Sequence, residues 1–177
     1  MKFNIILTTD SNLGISRYNR MPWYFPEDLE FFNKNTLNNI CIMGRTTANE
    51  LRSPLINRDN IVITSTDDLH QDFIVVRTFE EALKKAKELK NWDKEIFVIG
   101  GSRLFNEALK SDKLDKIYYT HINKSFSCDN FVDVILNRND MKYTILNTKN
   151  VQSTDTINAV NLIGDVKLTF YLINKII

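Results

Sequence analysis

Short apolar runs separated by polar stretches recur along the chain, at 3–8, 40–43, 60–64, 73–76 and 95–99, then at 116–122, 143–147 and 166–174. Bounded by turn-forming residues, runs of this length predict buried strands. Between them the apolar period lengthens to that of a helix, over 26–36, 47–51, 78–89 and 102–109. The third of these is the best marked. Thr78 followed by Glu81 forms a capping box, and Phe79, Ala82, Leu83, Ala86 and Leu89 repeat at helical spacing. The first opens with Pro26, which fits a position where no N–H is needed.

Strands alternating with helices through most of the chain predict a largely parallel sheet with crossover helices. The last two strands have no helix between them and are expected to pair antiparallel at one edge. Their connection, 148–164, is polar and expected to be mobile. The fold class is therefore a three-layer α/β domain spanning 1–177, with a mixed, mostly parallel sheet and an antiparallel C-terminal edge.

Composition narrows the function classes. The 177 residues are 43% hydrophobic and 25% charged, with a formal net charge of +1. No basic field recommends a nucleic-acid partner. No apolar run is long enough for a transmembrane helix, and the opening stretch turns polar too early for a signal peptide. Cys41 lies in an apolar run and Cys128 in a polar turn, which makes no disulfide framework and suits a reducing cytoplasm. His70 and His121 form no ligand cluster with them, so no metal is expected. A monomer is the default expectation.

The segment Met21-Pro22-Trp23-Tyr24-Phe25-Pro26-Glu27-Asp28-Leu29-Glu30-Phe31-Phe32 sets carboxylates among aromatics. In a helix from Pro26, Asp28 shares a face with Phe32. A carboxylate there is costly to bury unless donors meet it, so Asp28 is a candidate anchor for a flat ligand bearing N–H groups. The alternative is an acidic residue that favours the helix dipole, the reading assigned to Glu27 and Glu30 as solvated groups. Two segments share a strand–glycine–helix grammar: Ile96-Phe97-Val98-Ile99-Gly100-Gly101-Ser102-Arg103 and Ile40-Cys41-Ile42-Met43-Gly44-Arg45-Thr46-Thr47. Each is either a tight turn or a place where backbone N–H groups meet a phosphate. Neither is the G-x-G-x-x-G fingerprint, and no acidic residue is obviously set for a ribose 2′-hydroxyl. Arg45 and Arg77 with Thr64 and Ser65 favour a 2′-phosphate instead.

In order and spacing these segments resemble dihydrofolate reductases. So do Pro54-Leu55 with Arg58-Asp59-Asn60-Ile61, Val98-Ile99-Gly100-Gly101, and Tyr119-Thr120-His121-Ile122 followed by Asp129 and Phe131. The resemblance is weakest over 142–177. It implies reduction of 7,8-dihydrofolate by NADPH, with a hydride to C6 and a proton to N5, in one-carbon metabolism. Catalytic roles would fall to Asp28, which binds the pterin amino group and ring nitrogen, to Thr120, which supports it, and to Trp23, which holds a water. Ile6, Leu29, Phe32, Leu51 and Leu55 would wall the pterin and benzoyl rings, and Arg58 would pair with the glutamate α-carboxylate. Gly44, Arg45, Thr46 and Thr47 with Gly100, Gly101, Ser102 and Arg103 would cradle the pyrophosphate. Arg45, Ser65 and Arg77, beside Thr64, would read the 2′-phosphate. Ile15, Ile99, Leu104 and Phe105 complete the implied cofactor set, and the loop 13–20 would close over the nicotinamide. No acid clearly reaches N5, so water is expected to deliver that proton.

The chain departs from the family's pattern at several of these positions. Phe105 stands where a tyrosine is frequent, Thr46 where a histidine or lysine is, and Ala48 where a bulky residue is. Ile5 and Ile6 exceed the small residues often found beside the pterin. Two rivals remain: a reductase of the same fold acting on a pyrimidine in riboflavin synthesis, and a non-catalytic NADPH-binding protein on that fold. The first should lack the combination of Asp28, Phe32 and Arg58. The second should have lost the carboxylate or the glycine turn.

Overall fold

The computed structural model describes residues 1–133, 135, 138–155 and 160–176, by backbone alone at 152–155 and 160–165. Its strands are β1 (Phe3–Thr9), β2 (Gly14–Ser16), β3 (Ile40–Gly44), β4 (Asp59–Ile63), β5 (Ile74–Val76), β6 (Ile96–Gly100), β7 (Leu114–Ile122), β8 (Asn130–Phe131), β9 (Met141–Asp155) and β10 (Val160–Lys175). Its helices are α1 (Pro26–Thr36), α2 (Arg45–Leu51), α3 (Phe79–Leu89) and α4 (Ser102–Leu109). One sheet runs in the order β5-β4-β3-β6-β1-β7-β10-β9. Its pairings are parallel as far as β7, and β10 then pairs antiparallel with both β7 and β9. The α/β architecture expected from the alternation of elements is the one observed.

Strand alternation explains the layers. On β3, Ile40 and Ile42 join the core under α3 and α4, with Phe79, Ala82, Leu83, Leu104 and Phe105. Cys41 and Met43 point the other way, packing with Ala48 and Leu51 of α2. Beyond them on this second face, Phe31 of α1 meets Phe170 with ring centroids 4.9 Å apart. The chain moves outward from β3 to β5, then returns through α3 to insert β6 between β3 and β1. Right-handed crossovers running in opposite directions must use opposite faces, which is why α2 and α3 lie on different sides. The same reversal opens a crevice at the C-terminal ends of β1, β3 and β6.

Local details differ from expectation in instructive ways. Arg45 and Thr46 already belong to α2, whose expected start was Thr47. Thr78 caps α3, accepting from the Glu81 amide at 3.1 Å, but the Glu81 carboxylate takes the Arg77 amide instead of completing the box on Thr78. The short ribbon of β2 and β8, unanticipated from the sequence, docks the loop after β1 on residues 130–131. The polar connection expected over 148–164 is largely strand. β9 runs on to Asp155 and β10 starts at Val160, and only 156–159 lie outside the described residues. An antiparallel ladder satisfies its backbone internally and tolerates polar side chains on a solvated face, so composition alone concealed it. Among the described residues no helix is long and apolar enough to cross a membrane. Cys41 is fully buried, which pushes its thiol up to about 12 and leaves it inert.

Candidate active site

The crevice is a cleft of about 1020 Å³, more than one drug-sized ligand needs and enough for a ring system beside a dinucleotide. Its two ends are built differently. At one end, Ile6 and Thr8, two residues apart on β1, face the same way and meet Asp28 and Phe32 from α1. The Thr8 hydroxyl donates to Asp28 Oδ2 at 2.7 Å, and Thr120 on β7 also hydrogen bonds the carboxyl. Removal from water raises the Asp28 pKa above the ordinary carboxylate value, a rise that the two hydroxyls oppose. Leu29, Leu51 and Leu55 add apolar wall. Trp23 is 3% exposed, edge-on to Phe126 at 5.3 Å, and its indole N–H finds no acceptor among the described residues. Such an arrangement offers a planar ligand an acceptor pair between hydrophobic faces.

Arg58 stands outside the lining of this cleft, one hydrogen bond beyond it. Its guanidinium donates to Asn33 Oδ1 at 2.7 Å and to the Ile56 carbonyl at 2.8 Å, and lies 6.0 Å from the Phe32 ring centroid. Since Asn33 does line the cleft, Arg58 belongs to its rim.

At the other end the strands terminate in glycine and hydroxyl residues. Gly100 has φ +142°, and a Cβ there would meet Thr47 Oγ1 at 2.8 Å, so only glycine fits. A Cβ on Gly44 would lie 3.7 Å from the Gly100 carbonyl oxygen, which is ordinary contact. Gly101 caps α4 without a side-chain bond, leaving first-turn N–H groups for an anion. Ser102 is engaged with Asn130 at 2.6 Å, while Arg103 is exposed beside the same turn. Ile15, Thr46, Thr64, Ser65, Arg77 and Ile99 all line this part of the cleft. Leu104 and Phe105 line it too, but from the buried core, at 6% and 4% exposure.

The family model for dihydrofolate reductase matches residues 2–163. The chain belongs to the dihydrofolate reductase family. It is 41% identical over 123 residues to the dihydrofolate reductase of Buchnera aphidicola subsp. Schizaphis graminum, covering 69% of this chain and 73% of that protein. It is 37% identical over 131 residues to that of Haemophilus influenzae, covering 74% and 78%. To the bifunctional dihydrofolate reductase-thymidylate synthase of Paramecium tetraurelia it is 34% identical over 160 residues, covering 90% of this chain but 33% of that protein.

Within this dihydrofolate reductase family member, three features escape a sequence reading. Thr8, the hydroxyl nearest Asp28, was detectable only as the strand neighbour of Ile6 on the same face. Glu27, expected to be a solvated partner of the helix dipole, has one carboxylate oxygen buried with no partner among the described residues. The third feature is acidic. Asp68 takes Arg45 bidentately at 2.8 and 3.2 Å, and Asp67 takes Arg77 at 2.7 and 2.8 Å. Acidic partners for these two arginines were not anticipated from the sequence. Nothing in local spacing pairs these residues with arginines 10 and 23 positions away.

Proposed function

We propose that this chain reduces 7,8-dihydrofolate to tetrahydrofolate with NADPH, as a single catalytic unit. Asp28 carries the reading: a partly desolvated carboxylate braced by two hydroxyls, at the closed end of a cleft in this family. Its two oxygens match the paired N–H donors of a pterin amino-pyrimidine edge. Thr120 and Thr8 hold it in orientation. Trp23 offers its free indole N–H to a water. Ile6, Leu29, Phe32, Leu51 and Leu55 form the walls of the ring pocket, and Arg58 receives the glutamate α-carboxylate at the rim.

The opposite end fits a dinucleotide bearing a 2′-phosphate. The Gly100 turn admits only backbone against Thr47, and α4 presents uncapped N–H groups beside it. Gly44, Thr46, Thr47, Gly100, Gly101, Ser102 and Arg103 would hold the pyrophosphate. Arg45, Thr64, Ser65 and Arg77 would take the 2′-phosphate. Ile15, Ile99, Leu104 and Phe105 would flank the nicotinamide half. NADPH, when bound, supplies the hydride for C6 of the pterin. The segment at 14–18 excludes water from that face. It is held by Ser16 O accepting from the Asp129 amide and by the Tyr18 amide donating to the Asp129 carboxylate, both at 3.1 Å. Asp28 orients and polarises the pterin, and the N5 proton comes from water.

The test follows NADPH oxidation with dihydrofolate in wild type and Asp28→Asn, alongside direct NADPH binding. Turnover in wild type with a loss of about ten-fold or more in the variant is the expected result. Equal turnover in both overturns the role of Asp28. NADPH binding without turnover overturns the reductase.

A further inference from the structure

The two guanidiniums at the wet end of the cleft, one opening α2 and one following β5, are each paired with a carboxylate from the loop between β4 and β5. Arg45 donates to both oxygens of Asp68 and to Thr66 Oγ1 at 2.6 Å, and Arg77 donates to both oxygens of Asp67 and to the Thr64 carbonyl at 2.8 Å. Arg45 holds Asp68 through two nitrogens, the bidentate geometry it would also offer a phosphate, whereas Arg77 holds Asp67 through Nη2 alone. A phosphate arriving at these arginines must therefore displace two carboxylates, or share each arginine with one. Four formal charges sum to zero here, where the arginines alone would present two positive ones.

Resting on the NADPH reading above, we infer that Asp67 and Asp68 are specificity determinants that stand in for the 2′-phosphate and so let this site accept NADH beside NADPH. Both halves of the inference follow from charge. A 2′-phosphate meets two competing anions, which weakens its hold on Arg45 and Arg77. A cofactor without it offers a 2′-hydroxyl, a donor that an aspartate can accept and an arginine cannot. Discrimination between the two cofactors narrows from both sides. Because the loop is exposed, the competing pairs are cheap to exchange, so the phosphate is disfavoured and not excluded.

The test is a binding measurement, independent of turnover. Dissociation constants for NADPH and NADH are determined by titration calorimetry in wild type, Asp67→Asn, Asp68→Asn and the double variant. Asparagine keeps the shape and removes the charge. In wild type the two constants should lie within about ten-fold of each other, and the double variant should widen the ratio by about ten-fold, chiefly by tightening NADPH. Each single variant should give part of the change. The fragments 2′,5′-ADP and 5′-AMP should reproduce the difference, assigning it to the adenosine end. If NADPH binds all four proteins with an unchanged ratio, the inference is overturned and the NADPH reading stands. If neither cofactor nor either fragment binds the folded wild type, the NADPH reading falls and takes the inference with it.

Discussion

The two ends of one cleft handle charge in opposite ways. At the closed end a single carboxylate, Asp28, lies among Ile6, Phe32 and Leu51 with only hydroxyls to brace it. At the open end a half-buried Arg45 and an exposed Arg77 are paired with the exposed carboxylates of Asp68 and Asp67. Coulomb interactions at the dry end act through a low effective dielectric, and those at the wet end are largely screened. One charge at the first end should therefore matter more, to both stability and chemistry, than four at the second.

Asp28→Asn breaks this comparison most sharply, because its two effects have opposite signs. Turnover should fall about 100-fold, as an amide cannot accept from both N–H groups of a pterin edge. Stability should rise at neutral pH. Folding raises the pKa of this carboxyl, so the folded chain holds the proton more tightly than the unfolded one. Its contribution to stability is full below the unfolded value of 3.8 and is lost as pH rises through the folded value. Thermal melts should show the variant above wild type at neutral pH, with the advantage gone at about pH 3. The same proton should appear in turnover. Wild-type activity should change between about pH 5 and 9, and a flat profile would sever Asp28 from the proton step.

Gly100→Ala tests the open end through its backbone. The new Cβ would stand 2.8 Å from Thr47 Oγ1, on a residue whose φ of +142° suits only glycine. Strain of this kind costs about 1–3 kcal/mol, and NADPH affinity should fall about ten- to fifty-fold in fluorescence titrations. Binding of a pterin-like inhibitor at the other end should change little.

Much of this division can be read from the chain. Short apolar runs exchanging with helical periods already implied crossover helices on a parallel sheet, and the uniformly apolar run 40–43 implied a buried strand. Asp28 showed itself as a charge on an apolar helix face. What could not be read depends on distance along the sequence. Thr8 reaches Asp28 across 20 residues and Asp68 reaches Arg45 across 23, and no local period encodes either meeting. The buried oxygen of Glu27 was hidden for a related reason. Its neighbours in sequence suggest a first-turn dipole partner, whereas burial is decided by what packs over the turn. The long β9–β10 ladder was hidden by its polar face.

Thr8→Val has a smaller effect that sharpens the account of the dry end. It removes the first of the two hydroxyls that oppose the rise in the Asp28 pKa, while keeping the shape of the side chain. One lost hydrogen bond of about 1 kcal/mol predicts a fall in kcat/KM of about five-fold. The apparent pKa in the rate profile should move further up, a change that mere packing loss would not cause. Thr8→Ser should restore both.

The smallest expected effect is the melting behaviour of the Asp67→Asn, Asp68→Asn double variant. Arg45 holds the Asp68 carboxyl well below the usual carboxylate range, which on a buried pair would signal a large share of the folding energy. Here the carboxylate is exposed, and water and salt solvate the same charges in the unfolded chain almost as well. Arg77 and Asp67 are likewise an exposed ion pair. The double variant should therefore melt within about 2 °C of wild type. Calorimetry on the same preparations should nevertheless register the altered choice between NADPH and NADH. At the dry end, removing a charge should trade function for stability. At the wet end, it should change selectivity and leave stability where it was. A large drop in melting temperature here would mean that the aspartates hold the loop together, and the contrast between the two ends would then lie in packing instead of charge.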